Sequence, residues 1–334
     1  MKISKYLIIT ISICLIIALF FYFYLKKGKT DNSTNAKRIG IIQIMEHECL
    51  DQARKGFIDK LEELGFKDGQ NIKIDFRNAQ GDQSLCNSIA SNFSNDNPRK
   101  DLILAISTPA AQAAANATQD IPIIATCVTD FVSSGLVKSN NEPDTNVTGT
   151  SDMIPVKKQF ELIKKLLPNA KKVGILYSSN EINSKIQAQN ATEEAKKLNI
   201  ETIEYTVSNS NEISQIMSHI GKSVDAIFVP TDNTVVSCMP LVSQIAVSNN
   251  LPVICSESAS VKNGALATYG IDYYELGKQT AQIASEILNN KSYTSNIPIK
   301  FVTDNNLKLF INKKIAEKLN INISDELINN SEII

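Results

Sequence analysis

DAIFVPTDNTVVS, residues Asp225 to Ser237, runs an apolar strand into Pro230 and then into Thr231-Asp232-Asn233-Thr234, a cluster of short hydrogen-bonding side chains with one carboxylate. Such residues cap a first helical turn by accepting its free N–H groups. They are also what a ligand meets at the carboxyl end of a strand in a parallel sheet. The stretch has a counterpart upstream, DLILAISTPAAQ at Asp101, with the same order of apolar strand, polar turn and helix. Three further pairs repeat the pattern. RIGIIQIMEHE at Arg38 matches KVGILYSSNE at Lys172, NIKIDF at Asn71 matches ETIEYTV at Glu201, and DIPIIATCVTD at Asp120 matches NLPVICSESAS at Asn250. The offsets run from about 124 to 134 residues in the same order throughout, which marks a tandem architecture. Alternating strand and helix patterns make the fold class α/β, with two similar doubly wound parallel-sheet lobes.

Composition narrows the chemistry. A chain of 334 residues with 43% hydrophobic residues and a formal charge of −1 has material for two cores. Acids and lysines are mixed along it, so no nucleic-acid partner is indicated. Two histidines and no CxxC argue against a zinc site. No GxGxxG or Walker loop is present, which argues against a dinucleotide or triphosphate, and no cofactor is expected. Outside the apolar N-terminal segment lie Cys49, Cys86, Cys127, Cys238 and Cys255, an odd number that implies no disulfide framework.

Tyr6 to Leu25 (YLIITISICLIIALFFYFYL) is a run of about 20 uncharged, mostly apolar residues, enough to span a bilayer as a transmembrane helix. No small-x-small cleavage site follows it, so an uncleaved anchor is expected in preference to a signal peptide. Cys14 offers a lipoprotein alternative, but Ile11-Ser12-Ile13 is a poor lipobox and the apolar run continues past it. Residues 28–37 are polar and read as a tether. At the other end, Asn329 to Ile334 are expected to fray.

Two lobes joined face to face would set polar strand ends around one cleft. The candidates are Glu46 and His47, Ser107 and Thr108, Asp130 and Phe131, Ser178 and Ser179 with Asn183 and Ser184, Asp232 to Thr234, and Glu257. Helix starts at Pro109-Ala110 and after Ser179 offer N–H groups to a carboxylate. Asp232, Glu257 and Asp130 offer charge to an ammonium, and Phe131 offers an aromatic wall or a packed hinge residue. A small zwitterion, an amino acid, satisfies both ends.

Arg38 to about Pro298 resembles the ABC-transporter substrate-binding proteins of the tryptophan/tyrosine-binding subclass, on GIIQIMEHECLDQARKGFIDKLEELGF, STPAAQAAANATQDIPII, VTDFVSSGLV, VGILYSSNEINS, FVPTDNTVVS and YGIDYYELGKQTAQIA. The resemblance implies the type I periplasmic-binding-protein fold and a monomeric solute receptor that delivers an amino acid, an aromatic one in this subclass, to an ABC permease at the extracytoplasmic face of the membrane. It implies cleft roles for Glu46, His47, Thr108, Asp130, Ser178, Ser179, Asn183, Ser184, Asp232, Asn233, Thr234, Glu257 and Asp272. It also implies three crossings between lobes, near Asp152, near Tyr269 and after a helix at Tyr274 to Asn289. The expected division is 1–37 as anchor and tether, 38–152 plus 270–298 as the first lobe, and 153–269 plus 299–334 as the second. The chain departs from the related motifs EHPALD and VTDPVGAGLV at Glu48, Cys49 and Phe131.

Two other classes fit parts of the pattern. Cys127 and Cys255 stand at equivalent repeat positions, as the paired thiols of a cofactor-independent racemase would, although buried structural cysteines read the same way. A ligand-sensing ectodomain acting with a separate partner uses the same fold.

Overall fold

The computed structural model describes residues 36–221, 223–303 and 306–334. The apolar segment Tyr6–Leu25 lies outside the described residues, and among them no helix is long and apolar enough to cross a membrane.

The first five strands are β1 (Lys37–Gln43), β2 (Ile72–Asn78), β3 (Leu102–Ile106), β4 (Ile123–Val128) and β5 (Val147–Ser151). The next five are β6 (Lys172–Ser178), β7 (Glu201–Val207), β8 (Ala226–Val229), β9 (Val253–Cys255) and β10 (Ala267–Gly270). They assemble as 5-4-3-1-2 in one sheet and 10-9-8-6-7 in the other, with every one of these neighbours parallel. The internal repeat therefore emerges as one strand order used twice. Central strands such as β3 are buried along their whole length, as a parallel sheet covered on both faces demands, whereas β7 at an edge is partly exposed.

Helices α1 (Glu48–Glu63), α2 (Gln83–Asn95) and α3 (Thr108–Ala117) cover the first sheet. The second carries α4 (Val156–Leu166), α5 (Ile182–Lys197), α6 (Ile213–Ile220), α7 (Asn233–Ser237), α8 (Met239–Ser248) and α9 (Ser258–Lys262). Helix α10 (Tyr273–Leu288) follows β10 of the second sheet but buries Leu276, Ile283 and Ala284 in the first lobe's core, so the chain crosses back at Ile271. Strand β11 (Lys300–Phe301) then pairs with β5, Lys300 beside Thr150. The third crossing therefore comes after Phe301, a few residues later than the expected boundary at 298. Strand β12 (Lys308–Ile311) runs antiparallel to β10, and α11 (Lys313–Lys318) and α12 (Asp325–Asn329) lead to β13 (Ser331–Ile333). The expectation of a frayed end is corrected here, because Ser331–Ile333 pairs with Leu309–Ile311 as a parallel strand.

Helices α1 and α10 approach at two glycines. A Cβ on Gly56 would sit 2.0 Å from the Tyr274 carbonyl oxygen, and one on Gly277 would sit 1.9 Å from that of Ala53. Backbone cannot step aside as a flexible side chain does, so Gly277→Ala must separate the helices. The expected cost is about 1 to 3 kcal/mol. Thermal unfolding should show it as an apparent Tm several degrees lower.

Candidate functional site

The strand ends of both sheets meet between the lobes. Here α3 packs on α5, and Lys262 of α9 forms an ion pair with Glu48 of α1 at 2.9 Å. What each polar residue does depends on whether its side chain caps its own helix. Asp82, Ser107, Asp232 and Asp272 do, each accepting an N–H from the following turn. His47, Glu181 and Glu257 occupy the same N-cap position on α1, α5 and α9 and do not, leaving their side chains available elsewhere.

Glu181 reaches across to the start of α7, where its carboxylate accepts the Asn233 and Thr234 N–H groups at 3.0 and 2.9 Å and the Thr234 hydroxyl at 2.9 Å. The Asn233 side-chain Nδ2 also donates to Glu181, which turns Oδ1 of that amide outward as an acceptor. Opposite it stands His47 of the other lobe, Nε2 to Oδ1 3.3 Å. With an acceptor facing Nε2, that nitrogen carries the proton. Nδ1 is left as a bare lone pair, aimed at Glu257 Oε2 across 3.8 Å. Neither atom has a hydrogen-bond partner, and the two side chains are 6% and 2% exposed. An imidazole lone pair and a carboxyl oxygen facing each other out of water call for a shared proton, a cation or a donor between them. Burial lowers the His47 pKa and raises that of Glu257 well above the usual carboxylate range, with Asp152 adding to the latter.

Other predicted residues take structural roles. Asp232 is fully buried, but its oxygens accept Val235 N–H at 2.7 Å and Ser178 N–H at 2.6 Å. It is a cap and a tie between β6 and α7, which corrects the expectation that it receives an ammonium. Burial, aided by the Glu181 charge, pushes its carboxyl up to about 8. Asn183 and Ser184 both donate to the Thr231 carbonyl, at 2.8 and 3.3 Å, and Ser179 donates to Val207 O at 3.3 Å. Asp130 secures its own turn through the Ser133 N–H and hydroxyl. Phe131 is 0% exposed and packs within the first lobe's core. Glu46 and Asp272 are exposed. Buried Thr108 Oγ1 and Asn183 Oδ1, like the His47–Glu257 pair, lack hydrogen-bond partners and lie at the same strand ends.

Residues missed in the sequence include Glu181, Gln187 and Asp152. Gln187 orders the β8 loop by accepting the Thr231 N–H at 2.8 Å and donating to its hydroxyl at 3.1 Å. Asp152, at the first crossing, accepts from Thr129 at 3.3 Å and from Tyr273 at 3.4 Å. Glu181 carried one signal, an acid at the strand–helix junction between Ser178 and Asn183. Backbone strain marks the region too: Ser107 has φ +101°, and Cys127 has φ +55° where the β4–β5 register slips.

The thiols do not form a racemase pair. Cys255 Sγ points to the carbonyls of Glu257 and Ala267 at 3.3 and 4.0 Å, and burial pushes it up to about 12. Cys127 is raised well above its ordinary value by burial and the Asp152 charge, so neither is poised as a thiolate.

The model of the ABC transporter substrate binding protein family matches residues 38–333. The chain belongs to that family. It is 49% identical over 295 residues to a tyrosine-binding protein of Clostridioides difficile, covering 88% of this chain and 84% of that one. A Streptococcus pneumonia ABC domain crystallised with L-Trp superposes with a TM-score of 0.86 at 38% identity, covering 90% of this chain and 100% of that one. The ligand-free, open structure of a Clostridium difficile substrate-binding protein with adhesive properties scores 0.67 at 45% identity, covering 90% and 99%. The protein is the substrate-binding component of an ABC transporter, and its relatives are binding proteins rather than enzymes.

Two measurements probe the buried acids. Asp232→Ala leaves two buried N–H groups unpaired and should lower stability by about 2 to 4 kcal/mol in denaturant unfolding. Burial pushes Asp152 up to about 6, so the folded state holds that proton more tightly than the unfolded chain does. The resulting stability is complete below about pH 4 and is lost as pH rises through about 6, by about 3 kcal/mol. Asp152→Asn should flatten that part of the profile when unfolding is compared at pH 4 and pH 7.

Proposed function

We propose that the protein is the extracytoplasmic receptor of an ABC importer, closing around an aromatic L-amino acid and passing it to the permease. The observation that carries the ligand class is the acceptor pair His47 Nδ1 and Glu257 Oε2, buried without partners 3.8 Å apart. An α-ammonium between them donates to both. The buried Thr108 hydroxyl, without a hydrogen-bond partner at the start of α3, is the natural seat for the α-carboxylate. The aromatic preference is supported by the relatives, one a tyrosine-binding protein and one crystallised with L-Trp. The better superposition on the L-Trp complex than on the open form, despite lower identity, fits a description of the closed arrangement. In this reading Tyr6–Leu25 anchors a monomer to the outer face of the cytoplasmic membrane.

Thermal shift and calorimetry across the twenty amino acids test the proposal, since a ligand that binds only the folded state must raise its apparent stability. L-Trp, L-Tyr or L-Phe should shift the melting curve, and Glu257→Gln should weaken that binding about ten- to a hundredfold by removing a charge-assisted hydrogen bond. A response to a sugar, purine or peptide with none to any amino acid would overturn the ligand class.

A further inference from the structure

His47, Glu257 and Cys49 bring a nitrogen, a carboxylate oxygen and a sulfur within 4.8 Å of one another. Cys49 is 2% exposed and lies in the first turn of α1, two residues beyond His47, whereas Glu257 comes from the other lobe. We propose that these three side chains form a zinc-binding site that competes with the solute's ammonium for the same gap. The competition rests on the amino-acid reading above; the metal site itself does not.

The donor set selects the ion. Imidazole, thiol and carboxylate together suit zinc and not calcium or magnesium, which take oxygen ligands. Bonds of about 2.0 to 2.3 Å to a tetrahedral ion set neighbouring donors about 3.3 to 3.8 Å apart. The Nδ1–Oε2 separation of 3.8 Å already meets the upper end of that range. His47 is presented as a metal ligand requires: its second nitrogen faces Asn233 Oδ1, whose amide is held in turn by Glu181, so Nδ1 keeps its lone pair toward the gap. Three protein donors leave one position open. Because the donors come from two lobes, the ion would also hold the lobes together. The sequence offered no zinc spacing, since Glu257 reaches the His47–Cys49 pair only through the fold.

The full-length protein, stripped with chelator, is titrated with Co²⁺ and then Zn²⁺, and L-Trp and L-Tyr affinities are measured with and without zinc. The wild type should show a thiolate-to-cobalt charge-transfer band that zinc abolishes. Cys49→Ala, which restores the alanine of the related motif, should lose the band and weaken zinc binding at least about a hundredfold while leaving amino-acid affinity unchanged. Cys49→Ser serves the same purpose should the alanine variant misfold. In the wild type, zinc at ten times its own Kd should weaken amino-acid binding about tenfold. No band, or a band that persists in both Cys49 variants, overturns the site. Amino-acid affinity that is indifferent to bound zinc overturns the competition. A cobalt band without any amino-acid binding would uphold the metal site and refute the proposed solute.

Discussion

Glu181 accepts the N–H groups that open α7 and the Asn233 side-chain amide, and the geometry of the cleft follows from that one buried carboxylate. A carboxylate taken out of water must be matched by donors, and here the donors belong to a helix start 52 residues along the chain, too far to be a local cap. Fixing Asn233 turns its Oδ1 toward the other lobe. That oxygen then decides which nitrogen of His47 carries the proton and where the remaining lone pair points. The relay ends on Glu257, whose own helix start is left uncapped.

The relay needs the lobes at a set distance, and the packing around the crossings supplies it. The α1–α10 contact at Gly56 and Gly277 joins the helix that begins beside His47 to the helix that returns from β10. Tyr273 at the head of α10 donates to Asp152 at the other crossing, so two of the connections are joined by a side-chain bond inside the molecule. A further link sits nearer solvent, the Lys262–Glu48 ion pair, which spans the lobes at partly exposed positions and contributes little by comparison.

What the gap between His47 and Glu257 admits is decided by charge and size. Two acceptors facing each other without water are indifferent to whether the cation between them is an ammonium or a metal ion. Cys49 breaks that tie in favour of a soft ion when one is supplied, whereas an ammonium gains nothing from a thiol.

The sequence alone determined the two doubly wound lobes, because parallel strands buried on both faces write continuous apolar runs and the runs recur in order. It also located the strand ends and brought His47 and Glu257 into the candidate set. It had no means to separate caps from cleft residues, since Asp232 and Glu257 both read as an acid at a strand–helix junction. Tertiary structure made that separation: the shorter Asp232 folds back onto Val235, while Glu257 extends toward the other lobe. Phe131 went the same way, an aromatic in a polar turn that the fold buries in a core. The C-terminal strand was illegible for a related reason, because Ser331–Ile333 owes its order to β12 rather than to any local pattern. Periodicity reports which face of an element is buried; which side chains meet across a cleft is set by lobe placement, and no spacing along the chain encodes it.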